Sequence, residues 1–230
     1  MKAAPLARLK DAVAAGRSCA VVTDTSTGQQ AMVEGGKSSG ELTLTDANLA
    51  EVRQLTVRDR SAMIEGTSLF VRTYASPPKV VVVGAVHIAL SLVPMAKLAG
   101  FAVTVVDPRS AFVKSGNFTD VTTIEAWPDE AMSQITLDAR TAVVTLTHDP
   151  KLDDPALAAA LRAPVFYIGA LGSRKTHAKR LQRLKDEGFT DEQMTRIRGP
   201  VGLDINAITP AEIAVSIMAE VIQVLRKDAE

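Results

Sequence analysis

Four clusters of polar residues each follow a short apolar run, which is where ligand-binding side chains lie in a parallel sheet. The clusters are His87 after KVVVVGAV, Asp107-Pro108-Arg109 after AVTVV, His148-Asp149 after TAVVTLT, and Gly169-Ala170-Leu171-Gly172-Ser173-Arg174-Lys175 after VFYI. Imidazole, carboxylate and cationic groups that share one crevice could hold an anionic ligand. Each histidine could equally cap a helix or a turn, and residue types alone do not decide between these roles.

The first turn, GAVHIA from Gly84, lacks one glycine of the dinucleotide fingerprint G-x-G-x-x-G/A. Val86 stands where the second glycine would let a pyrophosphate approach the backbone. Because a branched side chain should crowd that path, NAD(P) binding is disfavoured without being excluded. Asp107, 23 residues after Gly84, is placed either to bind a ribose hydroxyl or to cap a turn.

The stretch GALGSRKTHAKR predicts a stronger anion site. Flexible glycines precede a helix N-terminus, where free N–H groups and the helix dipole favour negative charge. We expect Ser173, Arg174 and Lys175 to bind phosphate there. The later basic residues are interpreted as a solvated helix face: Lys179, Arg180, Arg183 and Lys185.

The last helix carries polar residues at intervals of four, Glu212, Ser216 and Glu220, beside apolar positions. Thr209 and Glu212 have the spacing of a capping box. Most such stripes are hydrated surface, but the preceding turn, with Gly202 and Asp204, is unusual for a purely structural link. We therefore expect the stripe, and Glu220 in particular, to serve a ligand or a partner rather than the fold, so that Glu220→Gln should fold normally.

The elements that position these residues alternate between strand-like and helical patterns from Gly84 onward, which predicts a parallel sheet with helices on both faces. The predicted strands are Lys79–Gly84, Ala102–Asp107, Val121–Ile124, Thr141–Thr147 and Val165–Gly169. The predicted helices are His87–Ala99, Pro128–Ile135, Asp153–Arg162, Ser173–Glu187 and one from Thr209 to about Lys227. If the strand order is 3-2-1-4-5, His87 and His148 flank the point where the order reverses.

The fold class is therefore α/β, a Rossmann-like doubly wound parallel sheet preceded by a small α+β N-terminal domain. A helix at Ala4–Ala15 and short alternating segments in the first 75 residues predict the smaller domain. The segment Ala75-Ser76-Pro77-Pro78 disfavours both helix and ladder pairing, so we place the boundary there, between residues 1–76 and 77–230.

Composition narrows the class of partner. Lys plus Arg equals Asp plus Glu at 26 each, so no global field favours nucleic acid, and no 18-residue apolar run or signal-like segment predicts a membrane location. The only cysteine, Cys19, cannot form an internal disulfide. These features are typical of a cytoplasmic protein in a reducing compartment.

Five segments, GAVHIA, VVDPR, TLTHD, YIGALGSRK and GPVGLDINAITPAEIAVSIMAE, resemble in order and spacing the C-terminal domain of the XdhC/CoxI family. These are accessory proteins of xanthine dehydrogenase and carbon monoxide dehydrogenase, and the resemblance covers about Lys79 to Val224. It implies a Rossmann-like domain that binds molybdenum cofactor, protects it during sulfuration and helps to load it into a molybdenum hydroxylase apoenzyme. A cysteine desulfurase is a further implied partner, and a homodimer is possible.

The chain departs from the family pattern in two places. Val86 replaces the middle glycine of the first turn, and the N-terminal domain is shortened, without the Gly-Ser-x-Pro-Arg patch or the cysteine-containing glycine-rich segment. A sulfur-relay role for Cys19 is not favoured.

The leading hypothesis is a non-catalytic carrier with no metal ligands of its own. Its rivals are an NAD(P)-dependent oxidoreductase that tolerates Val86 and a degenerate paralogue that binds only a protein. The expected cofactor-binding residues are Gly84, His87, Asp107, Arg109, His148, Asp149, Gly169, Gly172, Ser173, Arg174, Lys175, Gly202, Asp204, Glu212, Ser216 and Glu220.

Overall fold

The structure is a computed structural model that describes residues 3–109, 118 and 120–227. The chain divides into two compact units, one ending at Pro77 and the other spanning Pro78–Lys227. In the first unit, two helices accompany a five-stranded antiparallel sheet of order β3-β2-β1-β5-β4. The elements are α1 (Ala3–Ala14), β1 (Cys19–Asp24), β2 (Gln30–Glu34), β3 (Lys37–Gly40), α2 (Asp46–Arg58), β4 (Ala62–Met63) and β5 (Leu69–Tyr74).

The second unit is a six-stranded parallel sheet. Its strands are β6 (Lys79–Val83), β7 (Ala102–Val106), β8 (Thr122–Ile124), β9 (Thr141–Thr145), β10 (Tyr167–Ala170) and β11 (Ile197–Arg198). Its helices are α3 (His87–Leu98), α4 (Pro128–Ser133), α5 (Pro150–Arg162), α6 (Arg174–Asp186), α7 (Asp191–Met194) and α8 (Pro210–Arg226). With the antiparallel sheet before it, this architecture confirms the predicted fold class.

The spatial strand order is β11-β10-β9-β6-β7-β8. It contains the predicted 3-2-1-4-5 arrangement and adds β11, which at two residues is too short to leave a periodic signal. The predicted strand ends agree to within two residues. Helix α5 begins three residues earlier than predicted, at Pro150, because Asp149 caps it and Pro150 occupies the first helical position.

Two apolar layers sandwich the parallel sheet because successive residues of a strand face opposite sides. Val80 and Val82 of β6 join the core that contains Leu92 of α3 and Ile217 of α8. Val81 and its neighbours on the other face join the core formed with α4, α5 and α6. The chain leaves β6 toward one layer and β9 toward the other, so the order reverses between these two adjacent strands, where a ligand crevice is expected.

No helix of the described ranges is both long and apolar enough to cross a bilayer. Within the same ranges, no three His, Cys, Asp or Glu side chains come together as a group that could hold a metal ion.

Candidate functional site

The turn from β6 into α3 requires a glycine at position 84 but not at position 86, where the fingerprint has its second glycine. Gly84 has φ of 106°, its N–H donates to Val106 O at 2.8 Å, and a Cβ there would overlap Thr147 Cγ2. Val86 caps α3 in an extended conformation, φ −95° and ψ 175°, that any residue adopts. Its half-buried side chain packs against the core. The backbone therefore does not require a second glycine, and a valine fills the position nearest to a dinucleotide path.

Asp107 at the end of β7 holds this turn instead of contacting a ligand. Its side chain is 0% exposed, and its carboxylate accepts hydrogen bonds from Ala85 N at 2.8 Å and from Arg109 N, Nε and Nη2 at 2.9, 2.8 and 2.7 Å. Burial opposes ionisation, but these donors outweigh it and hold the pKa of Asp107 below its usual value. The expected ribose or pocket-lining role for Asp107 is corrected, because the carboxylate has neither exposed surface nor a free acceptor position.

The two histidines of the crevice differ in their surroundings. His87 is the first residue of α3 and its side chain is exposed. His148, after β9, adopts the left-handed conformation with φ of 63° and lines a cavity beside α6. Asp149 is the N-cap of α5, since its Oδ1 accepts from Lys151 N at 2.9 Å. Asp149 therefore has a capping role, and its expected role as a ligand residue stays a prediction because the side chain is exposed.

The glycines and serine between β10 and α6 are largely structural. A Cβ on Gly169 would lie 2.5 Å from Val201 Cγ2 and 2.8 Å from Tyr167 Oη, so this buried position, expected to contact the cofactor, is reserved for packing. Gly172 has φ of 138°, which favours glycine. Ser173 Oγ accepts from Thr176 N at 3.2 Å and caps α6.

Two cavities flank the first turn of α6. The loop cavity, of about 420 Å³, is formed by residues 200–207 with Leu171, Arg174, Ile213 and Ser216. The basic cavity, of about 280 Å³, is lined by His148, Pro150, Asp153, Lys175, Thr176, Lys179, Arg180 and Arg183. Arg174 and Lys175 were expected to share one phosphate, but they line different cavities, so the structure does not bring them together at a single pocket.

The polar stripe of α8 binds the loop that precedes it. Glu220 is buried, and its Oε2 accepts from Tyr167 Oη at 2.6 Å and Gly202 N at 2.8 Å, while Oε1 accepts from Arg198 Nη1 at 3.1 Å. Ser216 Oγ donates to Leu203 O at 2.6 Å. Glu220 therefore holds the loop from a buried position, which corrects the expectation that it contacts a ligand or partner directly. Ser216 holds the loop as well, and it also lines the loop cavity.

Glu212 completes the stripe at the start of α8. Its Oε2 accepts from Ile208 N at 2.8 Å and Thr209 N at 2.9 Å, and Thr209 Oγ1 accepts from Glu212 N, which confirms the capping box. Glu212 is therefore a cap, and its expected cofactor-binding role stays a prediction. We call the contacts of Glu212, Ser216 and Glu220 with residues 202–209 the loop clasp.

Two residues of the loop itself complete the site. Gly202 has φ of 90°, and a Cβ there would overlap Ser216 Oγ, so glycine permits the close approach of the loop to α8. Asp204 is exposed and lines the loop cavity. The clasp therefore fixes a wall of the loop cavity, which Arg174 also lines.

The feature that sequence reasoning missed is a buried ion network beneath α6. Arg180, interpreted as solvated, is 1% exposed; its Nη2 donates to Leu171 O at 2.8 Å and to Asp153 Oδ2 at 3.4 Å. Arg183 binds Asp154, which is also buried. The helix period indicated that Arg180 is buried, because residue 180 lies on the same helix face as His177 and the apolar Leu184.

Burial dominates the electrostatics of the network. It raises the pKa of Asp153, although Thr147 and Arg180 act in the opposite direction. It also lowers the pKa of the Arg180 guanidinium, against the attraction of Asp153 and Asp154. At 3.4 Å, the contact between the two side chains does not compensate for the loss of water around either charge.

Comparison with known proteins shows which sequences and which solved structure this chain resembles. Residues 80–221 match the family described as the XdhC Rossmann domain. The molybdenum cofactor insertion chaperone PaoD of Escherichia coli is 44% identical over 100 residues, which are 44% of this chain and 31% of PaoD. A Bacillus subtilis protein described as a probable xanthine dehydrogenase subunit is 32% identical over 164 residues, which are 71% of this chain and 48% of that protein.

A solved structure described as a xanthine dehydrogenase from Bacillus halodurans superimposes with a TM-score of 0.70 at 26% identity. The superposition covers 97% of this chain and 64% of that one. In the curated relatives, the matched part is less than half of each protein's length.

Proposed function

The chain belongs to the XdhC family, and from that membership we propose that it binds molybdenum cofactor and helps to insert it into a molybdenum hydroxylase. One of the similar proteins is named as a molybdenum cofactor insertion chaperone. On this proposal the chain is a carrier, the cofactor is its cargo, and the hydroxylase apoenzyme is its client.

The observation that carries the proposal is the loop cavity. Its volume of about 420 Å³ falls within the range of small-molecule sites, roughly 300–1,000 Å³. Leu171, Ile205 and Ile213 give it apolar walls that suit a pterin ring system, and Arg174 supplies a cation that suits the phosphate of a pterin phosphoester. Since Arg174 opens α6, the free N–H groups of that helix end add to the attraction.

Sulfur for the cofactor has to come from a second protein on this proposal. Cys19 is the only cysteine of the chain; its thiol is buried in β1, and burial raises its pKa. A protonated, inaccessible thiol is a poor sulfur donor or acceptor. We therefore propose a cysteine desulfurase as the sulfur source. A homodimer would offer the client two cofactor sites.

An NAD(P)-dependent oxidoreductase has less support. Asp107, the residue best placed by sequence to hold a ribose, is committed to Arg109 and Ala85, and Val86 fills the turn. The hypothesis of a paralogue that binds only a protein is opposed by Arg174, a cation on the wall of a cavity of ligand size.

The proposal is tested by co-expressing the chain with a molybdenum hydroxylase in a host that lacks its own insertion factor. We expect hydroxylase activity per molecule of client to rise, and Arg174→Ala to abolish most of the increase. Lys37→Ala is the matched control, because it removes a cation from the exposed edge strand β3, in the other unit. Client activity that is independent of the chain would contradict the proposal.

A further inference from the structure

Arg180 is one of the residues that line the basic cavity, and most of the hydrogen-bonding capacity of its guanidinium is unused among the described residues. The side chain is 1% exposed, and its Nη2 meets Leu171 O and Asp153. The buried Nε and Nη1 have no partner among the described residues. Because guanidinium carries five N–H donors and buried donors are rarely left unpaired in folded proteins, the site lacks an acceptor.

Asp153 does not supply that acceptor. Its Oδ1 accepts from Thr147 Oγ1 at 2.7 Å and is near Thr147 N at 3.4 Å, and its Oδ2 meets Arg180 Nη2 at 3.4 Å. Asp153 is the one carboxylate among the residues that line the basic cavity, whereas Lys175, Lys179, Arg180 and Arg183 are cationic. Arg183 is neutralised by Asp154, but the remaining cations outnumber the carboxylate.

The electrostatic surroundings of the cavity also favour an anion. It adjoins the first turn of α6, where Ser173 caps the helix and the dipole is positive. The imidazole of His148 lies close to Gly172, since a Cβ on that glycine would be 3.6 Å from Nδ1. Water could satisfy single N–H groups, but it would leave the excess positive charge uncompensated, whereas an oxyanion provides both acceptors and charge.

We infer that the basic cavity is a binding site for a phosphate group with at least two ionised oxygens, free in solution or carried on a larger molecule. Arg180, Lys175 and Lys179 are its cationic contacts. The inference concerns a cavity separate from the loop cavity and does not rest on the proposed cofactor role.

Calorimetric titration of the full chain with inorganic phosphate and with pyrophosphate, at constant ionic strength, tests the inference. We expect saturable binding that is tighter for pyrophosphate. Lys175→Ala combined with Lys179→Ala should weaken it at least about tenfold, because charge-assisted hydrogen bonds are lost. The control is Lys185→Ala, which removes the same charge from the same helix but pairs with Asp191 and lines a different cavity.

The Nε–H resonance of Arg180, assigned by its disappearance in Arg180→Lys, provides a direct readout that does not depend on stability. It should shift on addition of pyrophosphate and stay unchanged on addition of chloride. If adenosine diphosphate binds more tightly than pyrophosphate, the site takes a phosphate that belongs to a larger molecule. If pyrophosphate binds more tightly, the site takes a free phosphate. Absence of saturable binding, an equal loss in Lys185→Ala, or an unmoved Arg180 resonance would overturn the inference.

Discussion

Buried carboxylates fix turns and loops of the second unit. Asp107 binds the first turn, Asp153 binds the end of β9 through Thr147, and Glu220 binds Gly202 and Tyr167. Each lies at a position where sequence spacing alone is compatible with a ligand role or a structural role. Burial decides between these roles, because an inaccessible carboxylate with several donors positions other groups.

Glu220→Gln should lower the free energy of unfolding by about 1–3 kcal/mol. The neutral amide cannot form charge-assisted hydrogen bonds, and its NH₂ group would face N–H and O–H groups that are themselves donors. Urea unfolding measures the change. Glu212→Gln is the control: its exposed side chain keeps a carbonyl acceptor for the capping box, so its effect should stay below about 1 kcal/mol. A Glu220→Gln protein within about 0.5 kcal/mol of the unmodified chain would mean that the clasp does not depend on this charge.

Asp107→Asn should destabilise the chain at neutral pH by a similar amount, about 1–3 kcal/mol, because Arg109 and Ala85 lose their anionic acceptor. The folded-state pKa of Asp107 lies below the unfolded value of about 3.9, so its contribution is complete above that pH and is lost as pH falls through the folded value. The stability gap between the two proteins, followed by urea unfolding, should therefore narrow below about pH 4. If the difference in unfolding free energy did not change with pH, the substitution would act through the packing of the side chain rather than through its charge.

At the scale of elements, the loop before α8 is held along the helix by a row of contacts four residues apart. Glu212 binds the end of the loop, Ser216 its middle at Leu203, and Glu220 its start at Gly202. The helix period thus sets the course of an irregular segment, and that segment forms most of the loop cavity.

Gly202→Ala should disturb the loop more than backbone strain alone would. Gly188 provides the comparison, since its φ of 95° is close to the 90° of Gly202 but a Cβ there meets nothing within 4 Å. Gly188→Ala should cost about 1–3 kcal/mol through strain. Gly202→Ala should cost more, because the new methyl overlaps Ser216 Oγ. If Gly202→Ala and Gly188→Ala lost the same stability in thermal unfolding, the backbone at Gly202 would not be tightly packed against α8.

Val86→Gly should strengthen NADH binding, because it removes a side chain from the turn that a pyrophosphate would approach. NADH fluorescence measures the affinity, circular dichroism checks that the variant is folded, and Val86→Ala should give an intermediate result. Micromolar NADH binding by the unmodified chain would contradict the steric argument.

Apart from the two-residue β11 and the four-residue α7, the elements of the second unit were predictable from periodicity to within a few residues, and the spacing of Thr209 and Glu212 predicted the capping box. The side-chain partners were not. Arg180 and Glu220 lie on helix faces that contact loops distant in sequence, so only the packed structure shows that Arg180 meets Leu171 O and Glu220 meets Gly202 N. Arg174 and Lys175 diverge because neighbouring residues of a helix point about 100° apart, which the prediction of one shared site ignored.

At the scale of the whole molecule, the parallel sheet brings the ends of β9 and β10 to one edge, with α6 between two cavities of different character. The loop cavity is lined by apolar side chains together with Arg174, Asp204, Asn206 and Ser216, whereas the basic cavity has several cations and few apolar groups. The proposed carrier role assigns the pterin to the first cavity.

The most direct test of that role is the pterin and molybdenum content of the chain purified from a host that makes molybdenum cofactor. We predict that the pterin, detected as a fluorescent oxidised derivative, copurifies with the unmodified chain and with Lys37→Ala. Arg174→Ala should lose at least about nine-tenths of it, as expected when a charge-assisted phosphate contact is removed. A folded, unmodified chain that carries no pterin, or an Arg174→Ala protein that retains it in full, would contradict the account.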